Sequence, residues 1–162
     1  METVREQLVK RTKTTQDKVK QYGILAGTVV LAGIVLMLMQ RLGVAFAFVT
    51  ILIDIGILWG GWSLSGIFNV EYEYCIAGNE LSVEKIIDQK RRKQLCSFNL
   101  KEAKGFYKCK KQLVDVTTIS AEGDGEVYTI EFTDPKLGRT LLYFTPDERT
   151  LEMISPYLPR SL

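Results

Sequence analysis

The sequence contains no histidine. This removes the commonest general base and the commonest metal ligand. Cysteine is scarce: Cys75, Cys96 and Cys109 are an odd number with no CxxC spacing. That argues against a disulfide framework or a zinc site and fits a reducing compartment. No glycine-rich phosphate loop, GxSxG or HExxH pattern is present. The net charge is only +2, so global basicity gives no reason to expect a nucleic-acid partner. These absences together lead us to expect no enzyme activity and no cofactor.

What the sequence does have is a long apolar stretch, Gly23 to Phe68, broken only at Gln40-Arg41. A bilayer core is crossed by about 20 apolar residues in a helix. Backbone in lipid must satisfy its own hydrogen bonds, so two helices in a tight hairpin are expected, with spans at about 23–39 and 42–66. The chain then divides into a basic tail (1–22), the hairpin (23–68) and a domain (70–162). Ala45-Phe46-Ala47 resembles a cleavage site. However, the first run exceeds the usual 7–15-residue signal core and a second run follows at once, so an uncleaved anchor is expected.

Six basic residues precede the first span (Arg5, Lys10, Arg11, Lys13, Lys18, Lys20), against Arg41 alone in the turn. Lys85, Lys90, Arg91, Arg92 and Lys93 follow the second span. The positive-inside rule then places both termini in the cytoplasm. The tail itself reads either as a short amphipathic helix, with Val4 and Leu8 on one face, or as a solvated segment.

Within the hairpin, Gly23/Gly27 and Gly56/Gly60 each form a GxxxG pattern. Such spacing lets helix backbones approach closely, within one chain or between copies. Asp54 falls near the middle of the second run, where an acid costs about 2.5–3.5 kcal/mol. It reads either as a proton- or ion-linked site or as a hydrogen-bonded structural carboxyl, with Thr50 and Thr28 as candidate partners. Trp59, Trp62 and Phe68 suit an aromatic belt.

From Val70 the period becomes two. Alternation predicts strands at Glu71–Ile76, Leu81–Ile87, Arg91–Phe98, Ala103–Lys108, Val114–Ala121, Val127–Phe132 and Thr140–Phe144, with turns between them. Thr145-Pro146-Asp147-Glu148 reads as a capping box with Thr145 as N-cap, opening a short helix whose inner face is Leu151, Ile154 and Leu158. Seven antiparallel strands ending in a capped helix resemble a pleckstrin-homology-like (PH-like) barrel, with Leu151 and Ile154 plugging one end. The expected class is therefore an α+β membrane protein: a two-helix transmembrane hairpin followed by a small antiparallel PH-like β-barrel with a C-terminal capping helix.

Several segments carry a closer resemblance. They are Val4 to Arg11, Asn69 to Tyr74, Gly78 to Ile87, the Lys90-Arg91-Arg92-Lys93 block, Phe144 to Arg149, and Leu158-Pro159-Arg160. On these the chain resembles an uncharacterised bacterial membrane family, domain of unknown function 6106. The resemblance implies architecture and a multi-pass place in the bacterial plasma membrane, and it brings no activity.

Lys90, Arg91, Arg92 and Lys93 form the candidate contact for anionic lipid headgroups or a membrane protein partner, since a basic residue near anionic lipid gains about 1 kcal/mol. The competing reading is a solvated turn whose like charges discourage edge pairing. A second basic group, Lys101, Lys104, Lys108, Lys110 and Lys111, either extends this patch or balances the acidic loop Glu122, Asp124 and Glu126. That loop lacks EF-hand spacing. Two functions are compatible with all this. One is a membrane-anchored, non-enzymatic binding or scaffold module. The other is a small oligomeric transport or channel accessory using Asp54.

Overall fold

The computed structural model describes residues 4–159; Arg160 of the last motif lies outside them. The elements, in order, are β1 (Val4–Lys10), α1 (Thr15–Gln40), α2 (Ala47–Ser65), β2 (Val70–Ala77), β3 (Glu80–Ile87), β4 (Arg91–Asn99), β5 (Gly105–Tyr107), β6 (Thr117–Ala121), β7 (Tyr128–Asp134), β8 (Gly138–Phe144) and α3 (Glu148–Ile154). They form two compact units. One is residues 1–12 together with 70–162, and the other is residues 13–69.

The largest departure from expectation is at the N-terminus. The tail is neither helix nor solvated segment from Val4 to Lys10. It is a strand, antiparallel to β2, running in register from Val4 opposite Ala77 to Lys10 opposite Glu71. The Arg11 N–H extends the ladder to the Val70 carbonyl at 3.0 Å. The β domain therefore includes the first residues as well as 70–162. The apolar hairpin is an insertion between two neighbouring strands of one sheet.

Three contacts hold β1 in place. Arg5 donates to the Asp147 carboxylate at 2.5 Å and to the Thr150 hydroxyl at 3.1 Å. The Gln7 amide donates to the Thr145 carbonyl and accepts from the Asp147 N–H. Gly123 lies so close that a Cβ there would collide with the Val9 side chain and stand 2.6 Å from the Lys10 carbonyl. A turn that reads as generic Gly-rich sequence is thus the seat of β1.

The strands form two four-stranded sheets, β1-β2-β3-β4 and β5-β7-β8-β6, and not a closed barrel. The pairing is antiparallel except for β6 with β8, which is parallel. Phe98 of β4 stacks on Phe132 of β7 at 3.9 Å between centroids, marking the core between the sheets. Tyr74, Ile76, Leu81, Val83, Ile130, Leu142, Phe144 and Ile154 are fully buried there. The β2–β3 connection has Gly78 at φ +61° as its first central residue, the place where a two-residue hairpin of type II′ needs glycine.

The closing helix is as expected in kind, but its cap differs. Asp147 is the N-cap and accepts from the Thr150 N–H at 2.7 Å. Thr145 is committed elsewhere. Its hydroxyl accepts from the Gly123 N–H, and its own N–H donates to the Tyr74 hydroxyl. Ile154 enters the core, with Leu151 and Leu158 packed against it.

In the second unit α1 begins at Thr15, earlier than Gly23, where Asp17 accepts from the Thr14 N–H. Both helices are long and apolar enough to cross a membrane. Most of their large apolar side chains are exposed, with Met37, Phe48, Trp59 and Trp62 among the barest.

Candidate functional site

The Lys90–Lys93 block lies at the turn between β3 and β4. Asp88 and Gln89 both adopt positive φ, at 51° and 54°, and the Lys90 N–H closes the turn on the Ile87 carbonyl at 3.1 Å. This is the geometry of a type I′ turn, whose twist matches that of the flanking strands. Strand alternation then separates the four cations. Lys90 stays in the turn, paired with Asp88 at 2.6 Å. Arg92 lies opposite Ile86 on the outer face, paired with Glu73 at 2.7 Å and near Glu84 at 3.8 Å. Arg91 and Lys93 point to the inner face, because they pair with Ile87 and Lys85.

The inner face is where sequence reasoning fell short. One row across the sheet reads Val9, Tyr72, Lys85, Lys93, and the next holds Val70, Ile87 and Arg91. Val9 and Tyr72 end the core, and beyond them the row is cationic. Lys85 and Lys93 are directly opposite, an arrangement that is destabilising for like charges. Among the described residues, Lys85, Arg91 and Lys93 form no salt bridge, whereas Lys90 and Arg92 do. Arg11 sits at the other end of this group. Burial pushes the Tyr72 phenol above its ordinary value, while the Arg11 charge opposes that rise and Glu122 adds to it. The signal that could have found Lys85 was the period of two itself. A run of four cations in a strand is two pairs on opposite faces.

Within the second basic group, Lys108 and Lys110 balance the acidic loop. Lys110 pairs with Glu122 at 2.5 Å and Lys108 with Glu126 at 3.1 Å, and Lys111 lies 3.6 Å from the Tyr107 ring centroid. Asp124 accepts from the Thr12 hydroxyl. Among the described residues no three His, Cys, Asp or Glu side chains are placed to hold a metal ion.

In the hairpin, a Cβ at Gly23, Gly27, Gly56 or Gly60 would meet nothing within 4 Å. The two GxxxG patterns therefore do not form the seam between α1 and α2. The seam glycine is Gly61, where a Cβ would collide with the Thr28 side chain. One residue along a helix turns the face by about 100°, so the Gly60-Gly61 pair offered two candidates and the pattern selected the wrong one. Thr50, Asp54, Ile57, Gly61 and Ser65 are among the more covered positions of α2 and recur every three or four residues, on one helix face. Asp54 thus belongs to the seam, and its Oδ1 is buried without a hydrogen-bond partner. The expected partners are engaged elsewhere: Thr50 donates to the Phe46 carbonyl and Thr28 to the Leu25 carbonyl.

The cysteines differ in access. Cys96 is buried and Cys109 exposed, with Cys75 between. Burial pushes the Cys96 thiol up to about 12. Cys75 is also raised, by burial first and then by Glu6, Glu73, Glu84 and Glu80. At the α3 cap, burial pushes Asp147 up, but hydrogen bonds from Thr150 and Arg5 outweigh it and hold the carboxyl below its usual range.

No curated protein and no solved structure matches the chain. The family comparison does match, and over residues 1–162, which includes the N-terminal strand, the hairpin and both sheets. The chain belongs to the bacterial PH-like domain family DUF6106, a family of unknown function.

Proposed function

We propose that this protein is a membrane-anchored, non-enzymatic binding or scaffold module that presents its PH-like domain at the cytoplasmic face of the bacterial plasma membrane. One observation carries the reading. Two helices with exposed apolar surfaces are inserted between strands that pair along their whole length. A soluble domain would bury such helices. An apolar hairpin whose two ends are joined by one β-ladder must cross the bilayer an even number of times, which keeps both termini on one side. The charge distribution, six cations before the first span, supports the cytoplasm as that side. Asp54 and Arg41 are the only charged residues between Tyr22 and Ser65, so the hairpin has no chain of charged groups to serve a transport role.

Cys109 makes this testable in the native chain. The protein should resist alkaline carbonate extraction from cell membranes. A membrane-impermeant maleimide should label Cys109 quickly in inside-out vesicles and not in intact cells, with Cys96 protected in both. Extraction by carbonate removes the anchor from the account. Labelling of Cys109 in intact cells reverses the orientation.

A further inference from the structure

We infer that Lys85, Arg91 and Lys93, flanked by Arg11, form a binding site for the phosphodiester headgroup of an anionic phospholipid. The inference rests on the membrane-anchored reading and narrows it to one ligand class and one face of the sheet. Three observations support it.

The first is unbalanced charge. Lys85 and Lys93 face each other across the β3–β4 ladder, with Arg91 on the same face two residues along. Neighbouring strands are about 4.8 Å apart, so three side chains of this length can reach one group the size of a phosphate. The nearby acids are already occupied. Asp88 is with Lys90, Glu122 with Lys110, and Glu73 and Glu84 are with Arg92 on the opposite face. An anion would relieve the repulsion between Lys85 and Lys93.

The second is ligand chemistry. Arg91 offers a planar fork and the lysines offer point charges, a combination that suits a phosphate oxygen set. Tyr72 lies in the same row as Lys85. Burial raises its phenol, which therefore keeps its proton and remains a hydrogen-bond donor.

The third is position in the chain. The row Val70–Ile87–Arg91 is the end of the ladder from which the chain leaves for the hairpin, through Thr12 after β1 and through Asn69 before β2. The cations are thus at the tethered end of the sheet. The far end, around Val4, Ala77, Glu80 and Asn99, has no such cluster among the described residues.

The test is a titration of the full-length protein in neutral detergent micelles. The probes are dioctanoyl phosphatidylglycerol, dioctanoyl phosphatidylcholine, inorganic phosphate and a poly-glutamate peptide. Phosphatidylglycerol should bind in a salt-sensitive way, and the other three at least tenfold more weakly. At about fivefold per cation, K85Q/R91Q/K93Q should weaken phosphatidylglycerol binding on the order of a hundredfold. K90Q/R92Q, which alters the paired cations, should change it less than threefold. K85R/K93R should keep the affinity, and Cys96 should stay protected from thiol reagents in every variant.

Equal binding of phosphatidylcholine, or equal losses from the two neutralising variants, overturns the site. Inorganic phosphate binding as well as the lipid overturns the headgroup assignment, and poly-glutamate doing so points to an acidic protein instead. Carbonate extraction tests the anchor separately, so failure of one does not mimic failure of the other.

Discussion

Removing residues 1–11 should abolish the folded β domain while leaving the hairpin able to enter membranes. The seven-residue β1 contributes a full edge of the first sheet. Its ladder is worth roughly seven hydrogen bonds at about 1 kcal/mol each. Val9 lies in the core cluster, and Arg5 and Gln7 secure the start of α3. That sum matches the whole net stability of a small domain, about 5–15 kcal/mol. Residues 70–162 alone should therefore expose Cys96 to thiol reagents and show no cooperative melt.

The converse should rescue them. Arg11 and Val70 form a hydrogen-bonded pair, the flank that a two-residue turn requires. Replacing residues 12–69 by Asn-Gly should give a folded domain that stays in solution without detergent. If the 70–162 fragment melts like this variant, β1 is an ornament on an independent domain and the account fails at its base.

The second large effect is expected at Tyr74. Its ring is fully buried and meets Phe144 edge-on at 5.8 Å. Its hydroxyl donates to the Ala121 carbonyl and accepts from the Thr145 N–H at 3.1 Å. It ties β2 of the first sheet to the end of β6 and to the segment before α3. Burial holds this phenol far above its ordinary value, so it remains a donor throughout the accessible pH range. Tyr74→Phe keeps the ring contacts and leaves two buried backbone groups unpaired. Each costs about 1–3 kcal/mol, so about 2–6 kcal/mol is expected, or roughly 10–40 °C in melting temperature for a domain of this size. Thermal melts of the hairpin-deleted variant measure it. A shift under about 3 °C would mean the hydroxyl has no structural role.

These two cases show where sequence reading succeeds and where it stops. The apolar runs and strands β2, β3, β7 and β8 were legible because burial imposes a period on residue type. β1 was not, and for a physical reason. Its inner positions are Arg5, Gln7 and Val9, two of them polar because they bond to the start of α3, while Val4 and Leu8 face outward and are exposed. The alternation is therefore hidden, and Val4 and Leu8 happen to fit a helical period. The parallel pairing of β6 with β8 depends on a tertiary crossover that no local pattern reports. Thr145 looked like a cap because Thr-Pro-Asp-Glu satisfies the pattern, yet Gly123 and Tyr74 claim it and Asp147 takes the role.

The candidate site follows the same logic. Lys90 to Lys93 was visible as a block, but its division into a paired outer half and an inner half without salt bridges depends on register, as does the inclusion of Lys85. Register also settles the hairpin seam, where Gly61 and not Gly60 meets Thr28.

The central claim is that β1 and β2 pair across the inserted hairpin in the intact protein. Glu6 lies opposite the native Cys75. Because Arg11 and Val70 are a hydrogen-bonded pair, alternation makes Glu6–Cys75 a non-hydrogen-bonded one, with Cα atoms about 4.5 Å apart, within the range of a disulfide. Replacing Glu6 also removes a charge that helps raise the Cys75 thiol. Full-length Glu6→Cys in native membranes, mildly oxidised and then digested for mass spectrometry, should yield a peptide in which the introduced thiol is disulfide-bonded to Cys75. The Arg5→Cys variant, whose new side chain faces the other side of the sheet, should not. Absence of the crosslinked peptide from the Glu6→Cys protein, with Cys75 and the introduced thiol both freely alkylated, would contradict the account.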